Sequence, residues 1–212
     1  MPAHFPYAYN LGFDQESEDV RIEDVTILNA PLWNIRLQDW DRVWLRGIHL
    51  YSDLERGVNS DGIDIVSSSN VTISDSIIVT ADDSICLKPE VLDPSPGRPV
   101  RPVENVLVTN SILGSSSTPM MMGAETHADI RHVVFSNIVV RDSNKVFGIN
   151  VQDGGTVSDV RFVLWAEWLQ KVVLASVPHR HVVFTMPRLL RGIFRKRREL
   201  LLDLAQCCAQ AR

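Results

Sequence analysis

The chain has 212 residues, of which 45% are hydrophobic and 22% charged, and its formal net charge is −5. This length allows one or two domains with a substantial core. The sequence contains no apolar run long enough to predict a membrane span. It has three cysteines, too few to predict a disulfide framework.

The charge is distributed unevenly along the chain. Residues 1–162 contain 12 Lys and Arg against 23 Asp and Glu, whereas residues 163–212 contain 9 against 3. Such asymmetry predicts two segments of different origin or purpose. We therefore predict an acidic domain over residues 1–162 and a foreign basic tail over residues 163–212.

Short β-type segments recur through the acidic part. They cover residues 20–30, 42–52, 70–80, 104–114, 131–143 and 156–164. From the second segment onward, one valine in each segment recurs at intervals of 28, 35, 27 and 27 residues, at Val43, Val71, Val106, Val133 and Val160. A period of this size is typical of stacked repeats, in which each unit buries its apolar face against its neighbours.

A polar bend divides each segment into two strands. The bends contain Asn29, Ser74 and Asp75, Asn110 and Asn137, and we predict that they occupy one place in the unit. No helical period separates the strands, so we predict an all-β, right-handed parallel β-helix. A β-sandwich is the alternative, because short strands at regular spacing suit it too. Residues 53–60 and the proline-rich residues 89–103 are predicted loops that border a binding cleft.

Two aspartate clusters flank the segment 70–80. Asp61 and Asp64 precede it, Asp82 and Asp83 follow it, and Asp82 lies 21 residues after Asp61. Stacked coils ~4.8 Å apart would bring the carboxylates onto one face with tips roughly 5–9 Å apart. An inverting glycosidase needs two carboxyl groups ~6.5–9.5 Å apart, one of them kept protonated by a raised pKa. Ordinary strand-end turns are the alternative interpretation.

The sequence motifs that contain these aspartates resemble those of a known enzyme family. NSDGID (59–64) and ADDSICLK (81–88) resemble the NTDGxD and DDCxAxK motifs of polygalacturonase-type enzymes of glycoside hydrolase family 28. The resemblance implies a pectin-lyase-like β-helix in which Asp61, Asp82 and Asp83 are catalytic. In that assignment Asp82 is the general acid, and Asp61 and Asp83 activate water. Asn59, Asp64 and Lys88 are predicted substrate-binding residues.

Two later motifs depart from the family pattern. MMMGAETHADIRHVVF (120–135) replaces a GHG motif and resembles the G-[ST]-E segment of some bacterial members, which adds Glu125, His127 and Arg131 to the predicted substrate-binding residues. In FGINVQ (147–152), Asn150 and Gln152 stand where the family has Arg and Lys. Neutral amides cannot replace the charge-assisted bonds of Arg and Lys to a galacturonate carboxylate, so a strict galacturonate site is not expected.

No metal-ligand spacing and no cofactor motif occur in the sequence, so we predict neither a metal nor a cofactor. A Ca²⁺-dependent polysaccharide lyase on the same fold is the mechanistic rival. The expected partner is a polysaccharide or oligosaccharide, without a membrane. The start lacks a signal-peptide pattern, so the chain as it stands is predicted to be cytoplasmic, although related enzymes are often secreted or periplasmic.

The tail contains VPHRHVVFTMPRLLRGIFRKRRELLLDLAQ (177–206), which predicts a partly helical, basic segment. It resembles an internal segment of rolling-circle transposases of the insertion sequence 91 group. The metal-binding histidine pair and the nucleophilic tyrosine of those enzymes are absent, so any nucleic-acid binding is expected to be weak phosphate attraction. The resemblances together predict an incomplete solenoid with a short β/α or helical tail. The alternatives to a weakened glycosidase are a catalytically dead carbohydrate-binding remnant and a DNA-binding transposase fragment.

Overall fold

The computed structural model describes residues 11–12, 16–90, 99–143 and 145–163. Across these ranges the chain forms fifteen strands and no helix, and all strand pairs are parallel. Since no helix is present in the described ranges, none there is a candidate membrane span. The predicted basic tail, residues 163–212, lies outside the described residues except for Val163, and its helical character and transposase resemblance stay predictions.

The strands form two sheets that wind along one axis. Sheet A contains one short strand from each coil, in chain order: β1 (Leu11–Gly12), β4 (Ile35–Gln38), β7 (Ile63–Val66), β10 (Ile85–Lys88), β12 (Met120–Met122) and β14 (Phe147–Ile149). Sheet B contains β2 (Glu18–Glu23), β3 (Thr26–Leu28), β5 (Asp41–Arg46), β6 (His49–Tyr51), β8 (Ser69–Ser74), β9 (Ile77–Thr80), β11 (Val103–Ser115), β13 (Ile130–Arg141) and β15 (Val157–Val163).

The valines that define the sequence repeat stack in register. Val43 pairs with Val71, Val71 with Val106, Val106 with Val133, and Val133 with Val160. The repeat therefore marks equivalent positions in successive coils, and the prediction of an all-β parallel β-helix is confirmed. Sheet A was not predicted as a separate element, because each of its strands has only two to four residues.

The core lies inside the coils and consists of aliphatic side chains that point inward from both sheets. Val43, Val71 and Val106 contribute from sheet B, and Ile63 and Ile85 from sheet A, all of them buried. Side chains alternate between the two faces of a strand, so the residues between Ile63 and Ile65 and between Ile85 and Leu87 lie on the outer face of sheet A. Those residues are Asp64 and Cys86, and both are nevertheless buried.

The polar bends of sheet B form a ladder of left-handed residues. Asp24, Asp75, Asn110 and Asn137 all have φ between 50° and 53°, and Asn137 Nδ2 donates to Asn110 Oδ1 over 2.8 Å. Asn and Asp tolerate this conformation because their short side chains bond locally. Asn29 is the exception to the prediction, because it follows β3 and its backbone N–H donates to Tyr51, one corner further along the coil.

Substitution of Asn137 separates the contribution of its side-chain hydrogen bond from that of its left-handed backbone conformation. Asn137→Ala should lower the free energy of unfolding by about 1–2 kcal/mol, because alanine adopts the left-handed conformation at a cost and makes no side-chain hydrogen bond. Asn137→Gly removes the same hydrogen bond and tolerates the same φ, so it should cost less than half as much. Urea unfolding of both variants measures the difference, and equal losses would contradict this account.

Candidate active site

Asp61 and Asp83 occupy equivalent positions in neighbouring coils. Each lies two residues before a strand of sheet A, and the first residues of those strands, Ile63 and Ile85, pair in register. The Gly62 N–H between them donates to the carbonyl of Asp83 over 2.8 Å. A Cβ on Gly62 would lie 2.4 Å from the Ser84 carbonyl oxygen, so glycine is required for the coils to approach here. The glycine of the NSDGID motif thus stacks the two aspartates.

The loop of Asp82 and Asp83 is held by hydroxyl groups of its own and the next coil. Thr80 Oγ1 and Ser115 Oγ both donate to the Asp82 carbonyl oxygen, over 2.9 and 2.7 Å. The Thr118 N–H donates to Asp83 Oδ1 over 3.0 Å. These bonds fix the backbone of Asp82 and the carboxylate of Asp83, and they leave the half-buried Asp82 side chain outside the hydrogen bonds described for this loop.

A buried ion cluster adjoins the two aspartates. Lys88 Nζ lies 3.0 Å from Asp61 Oδ2 and 3.1 Å from Asp64 Oδ1. It also lies 3.9 Å from the ring centroid of Trp33, which precedes β4 in the coil before. Asn34 supports the cluster from that coil, because its Nδ2 donates to the Asp61 carbonyl oxygen over 2.9 Å. The sequence analysis did not single out Trp33 or Asn34.

Burial and crowding raise the pKa values of these carboxyl groups. Burial raises the pKa of Asp83 to about 6, and the negative charges of Asp61 and Asp82 add to the effect. Burial also raises the pKa of Asp61, with Lys88 opposing the shift, and raises that of Asp64 well above its ordinary range. A hydrogen bond to Asp61 further favours the protonated form of Asp64. Neighbouring carboxyls of this kind titrate as a coupled group.

One carboxylate oxygen each of Asp61 and Asp83, together with the Cys86 sulfur, lie within 4.8 Å of one another. The two carboxylates are therefore closer than the predicted separation of their tips. These donors do not suit a metal ion, because burial raises the pKa of the Cys86 thiol and keeps it neutral. The Lys88 ammonium already supplies a positive charge at Asp61. We assign no metal ligands here.

The other predicted substrate-binding residues are spread over the molecule. Asn59 is exposed in the loop before Asp61. The His127 N–H donates to the Pro89 carbonyl next to Lys88, and its Nδ1 lies 3.9 Å from Asp153. Glu125 lies close enough that its charge raises the pKa of Glu90, after the larger effect of burial. Glu125 and His127 thus lie near the carboxyl end of β10, whereas Asn59 lies before the amino end of β7.

Arg131 lies elsewhere, in sheet B. Its Nε donates to Glu104 Oε2 over 2.7 Å within the register of β11 and β13. The structure therefore does not bring Arg131 to the aspartates. Asn150 and Gln152 are exposed beyond β14, where their backbone N–H groups donate to Met122 and to the Thr126 hydroxyl.

The fold and these residues define a class of protein, a parallel β-solenoid with aspartates stacked at one edge of a sheet. The chain belongs to glycosyl hydrolases family 28, because the profile of that family matches residues 11–164. The family assignment thus covers the predicted solenoid, and the transposase resemblance of the tail is not part of it.

Several relatives carry related names. The chain is 27% identical to a probable polygalacturonase of Vitis vinifera over 177 residues, which is 77% of this chain and 34% of that protein. It is 33% identical to an endo-polygalacturonase of Pectobacterium carotovorum over 75 residues, 34% of this chain and 18% of that one. The crystal structure of an exopolygalacturonase from Thermotoga maritima matches with a TM-score of 0.58 and 25% identity, over 70% of this chain and 37% of that chain. The chain thus spans about a third of the length of the relatives that it matches most extensively.

Proposed function

We propose that this protein hydrolyses O-glycosidic bonds of pectic or related plant polysaccharides by the inverting route. The observation that carries the proposal is the stack of Asp61 and Asp83, with carboxylate oxygens within 4.8 Å of each other beside Asp82. A water between two such oxygens can donate a hydrogen bond to each, since these bonds are about 2.7 Å long. The family assignment and the names of the relatives supply the substrate class.

The proposed reaction divides the roles among the three aspartates. The water oxygen bonds to the anomeric carbon while one of its protons passes to the Asp61–Asp83 pair. The bond from the anomeric carbon to the leaving oxygen breaks, and that oxygen takes the proton of Asp82. Attack from the face opposite the leaving group inverts the configuration. Asp61 and Asp83 are too close together to flank a glycosidic bond as acid and base, so Asp82 is the acid in this scheme.

The sugar bound at the cleavage site need not be galacturonate. Asn150 and Gln152 replace the two cations with which the family pairs a galacturonate carboxylate, and both are exposed amides. A galacturonate unit would therefore bind there by neutral hydrogen bonds, which are roughly half as strong as charge-assisted ones. We accordingly expect neutral or methyl-esterified pectic oligosaccharides to be cleaved at least as well as unesterified oligogalacturonate.

Reducing-end release from a panel of pectic and neutral oligosaccharides tests this function. Proton NMR of the first product, recorded before mutarotation, distinguishes inversion from retention. Hydrolysis with inverted configuration would support the proposal. Hydrolysis with retention would contradict the mechanism, an unsaturated product absorbing near 235 nm would show a lyase, and silence on all substrates would contradict the function.

The decrease of kcat/KM at acidic pH reports the protonation of the water-activating pair, Asp61 and Asp83. The value of kcat/KM should decrease as the pH falls through about 6, because protonation of Asp83, whose pKa is raised to about 6, removes the proton acceptor. Circular dichroism at each pH serves as the control for folding. Constant kcat/KM down to pH 4 in a folded protein would contradict the assignment of the pair.

A further inference from the structure

Lys88 was predicted to bind substrate, yet its side chain is only 8% exposed and that of Asp64 is completely buried. The Lys88 ammonium has three N–H donors. Two directions are taken by Asp61 and Asp64, at 3.0 and 3.1 Å, and the ring of Trp33 covers it at 3.9 Å. A nearly buried ammonium packed between two carboxylates and an aromatic ring is poorly placed to reach a substrate carboxylate.

We propose that Lys88 is a positioning residue that holds the Asp61 carboxylate against Asp83 and supplies the positive charge that allows this stacked pair to keep one negative charge at neutral pH. The inference rests on the function proposed above. It assigns Lys88 to the water-activating half of the site, where the residue acts through Asp61 without contacting the sugar.

The charge balance of the cluster explains why a cation is needed. A buried charge is costly unless it is paired and hydrogen-bonded, and Asp61 is 2% exposed. Lys88 is the only basic group within salt-bridge distance of Asp61 among the described residues. The groups that surround this ion pair on the neighbouring strands and loops are Asp64, Asp82, Asp83, Cys86, Glu90 and, in register with Asp64 on β4, Arg36.

The position of Lys88 at the end of a strand explains how its ammonium reaches Asp61. The residue ends β10, one coil beyond Asp64 on β7, and its backbone carbonyl accepts a hydrogen bond from the Ser67 N–H. Its long side chain then runs back along the outer face of sheet A to the edge where Asp61 lies. The Lys88 ammonium therefore contacts Asp61 and Asp64 of the preceding coil. Asp83 is instead hydrogen-bonded to the following coil, through the Thr118 N–H.

The test compares Lys88→Met with Lys145→Met in the full chain. Both substitutions remove one lysine charge, but Lys145 is exposed just before β14 and makes no described ion pair with the residues in the structure. We expect Lys88→Met to move the acidic limb of kcat/KM upward by about one pH unit or more, because the pair then becomes protonated more readily. Lys145→Met should leave the limb in place. Lys88→Arg should return the limb toward the wild-type pH even where kcat is reduced.

A purely structural role for Lys88 would lower kcat or stability and leave the limb unmoved, and that result would overturn the proposal. A measurement on well-folded protein covers the case in which Lys88→Met does not fold. In the wild type, the ¹⁵Nζ resonance of Lys88 should shift with the titration of the Asp61–Asp83 pair, because the ammonium contacts Asp61. A Lys88 resonance that does not follow this titration would also overturn the proposal.

The NMR titration requires no turnover, so it remains decisive if the panel of oligosaccharides is not hydrolysed. If the oligosaccharides are not hydrolysed but the NMR result is as expected, the proposed function is contradicted and the Lys88 ion pair is supported. If hydrolysis occurs but neither the acidic limb of the pH profile nor the NMR result is as expected, the function stands and the proposed role of Lys88 is contradicted.

Discussion

Asp82→Asn should reduce the rate of reducing-end release by at least about 100-fold, because asparagine has no proton to give to the leaving oxygen and general acids contribute 10²–10⁴ in rate. The variant should remain folded. The bonds that hold the Asp82 loop, from Thr80 and Ser115, go to its backbone carbonyl, and asparagine preserves the shape of the half-buried side chain. Initial rates and thermal unfolding of the variant and wild type measure both effects.

Asp142→Asn is the matched control for this substitution. Asp142 is exposed, has a φ of 51°, which asparagine tolerates, and directly follows the end of β13. Its rate should stay within a factor of two of wild type. Equal activity of Asp82→Asn and wild type would remove Asp82 as the general acid. A leaving group that needs no protonation, such as an aryl glycoside with an acidic phenol, should recover part of the lost rate.

Asp83→Asn should abolish most of the activity and at the same time stabilise the protein at pH 7. The pKa of Asp83 is about 6 in the folded chain and 3.8 in its ordinary state, so the folded form binds more protons between those pH values. The free energy of unfolding therefore decreases as the pH rises through this window. Asparagine avoids that loss and can still accept the Thr118 N–H. We expect a gain of about 1–3 kcal/mol at pH 7.

Urea unfolding at pH 4 and pH 7 checks the sign of this effect. The difference between Asp83→Asn and wild type should be large at pH 7 and small at pH 4, because most of the loss builds up as the pH rises from the ordinary pKa of 3.8 to the folded-state pKa of about 6. Asp142→Asn should show no such dependence. A variant that is less stable than wild type at pH 7 would show that the carboxylate contributes more through its hydrogen bonds than burial costs it.

The repeat could be predicted from sequence because each coil uses the same local chemistry. Val43, Val71, Val106, Val133 and Val160 mark equivalent positions, and in the structure they pair in register without a shift. Asp75, Asn110 and Asn137 were predicted as bend positions and are left-handed, but β11 and β13 run through Asn110 and Asn137 as single strands. Asn29 was assigned to the wrong corner. Asp24 lies at the bend between β2 and β3, and only the fold shows that this residue is the equivalent one.

The candidate site was predictable only in part. The aspartate motifs and their separation predicted that the two clusters would share one face, and the register of β7 and β10 stacks Asp61 with Asp83. The burial of Asp64 and Lys88 could not be predicted, because it depends on Trp33 from the preceding coil and on the outer face of sheet A being covered. For the same reason Arg131 looked like a nearby cation in sequence, although it pairs with Glu104 on the other sheet.

The register of Val71 with Val106 has an evolutionary consequence. These residues are 35 positions apart, while Val106 and Val133 are 27 apart, and yet both pairs align without slippage. The extra residues lie in the chain between the end of β10 and the start of β11, so the register of the paired strands does not depend on them. Insertions and deletions between these two strands are therefore close to neutral for the stack. Chain length can then vary there in evolution while the stacking of Asp61 and Asp83 is inherited unchanged.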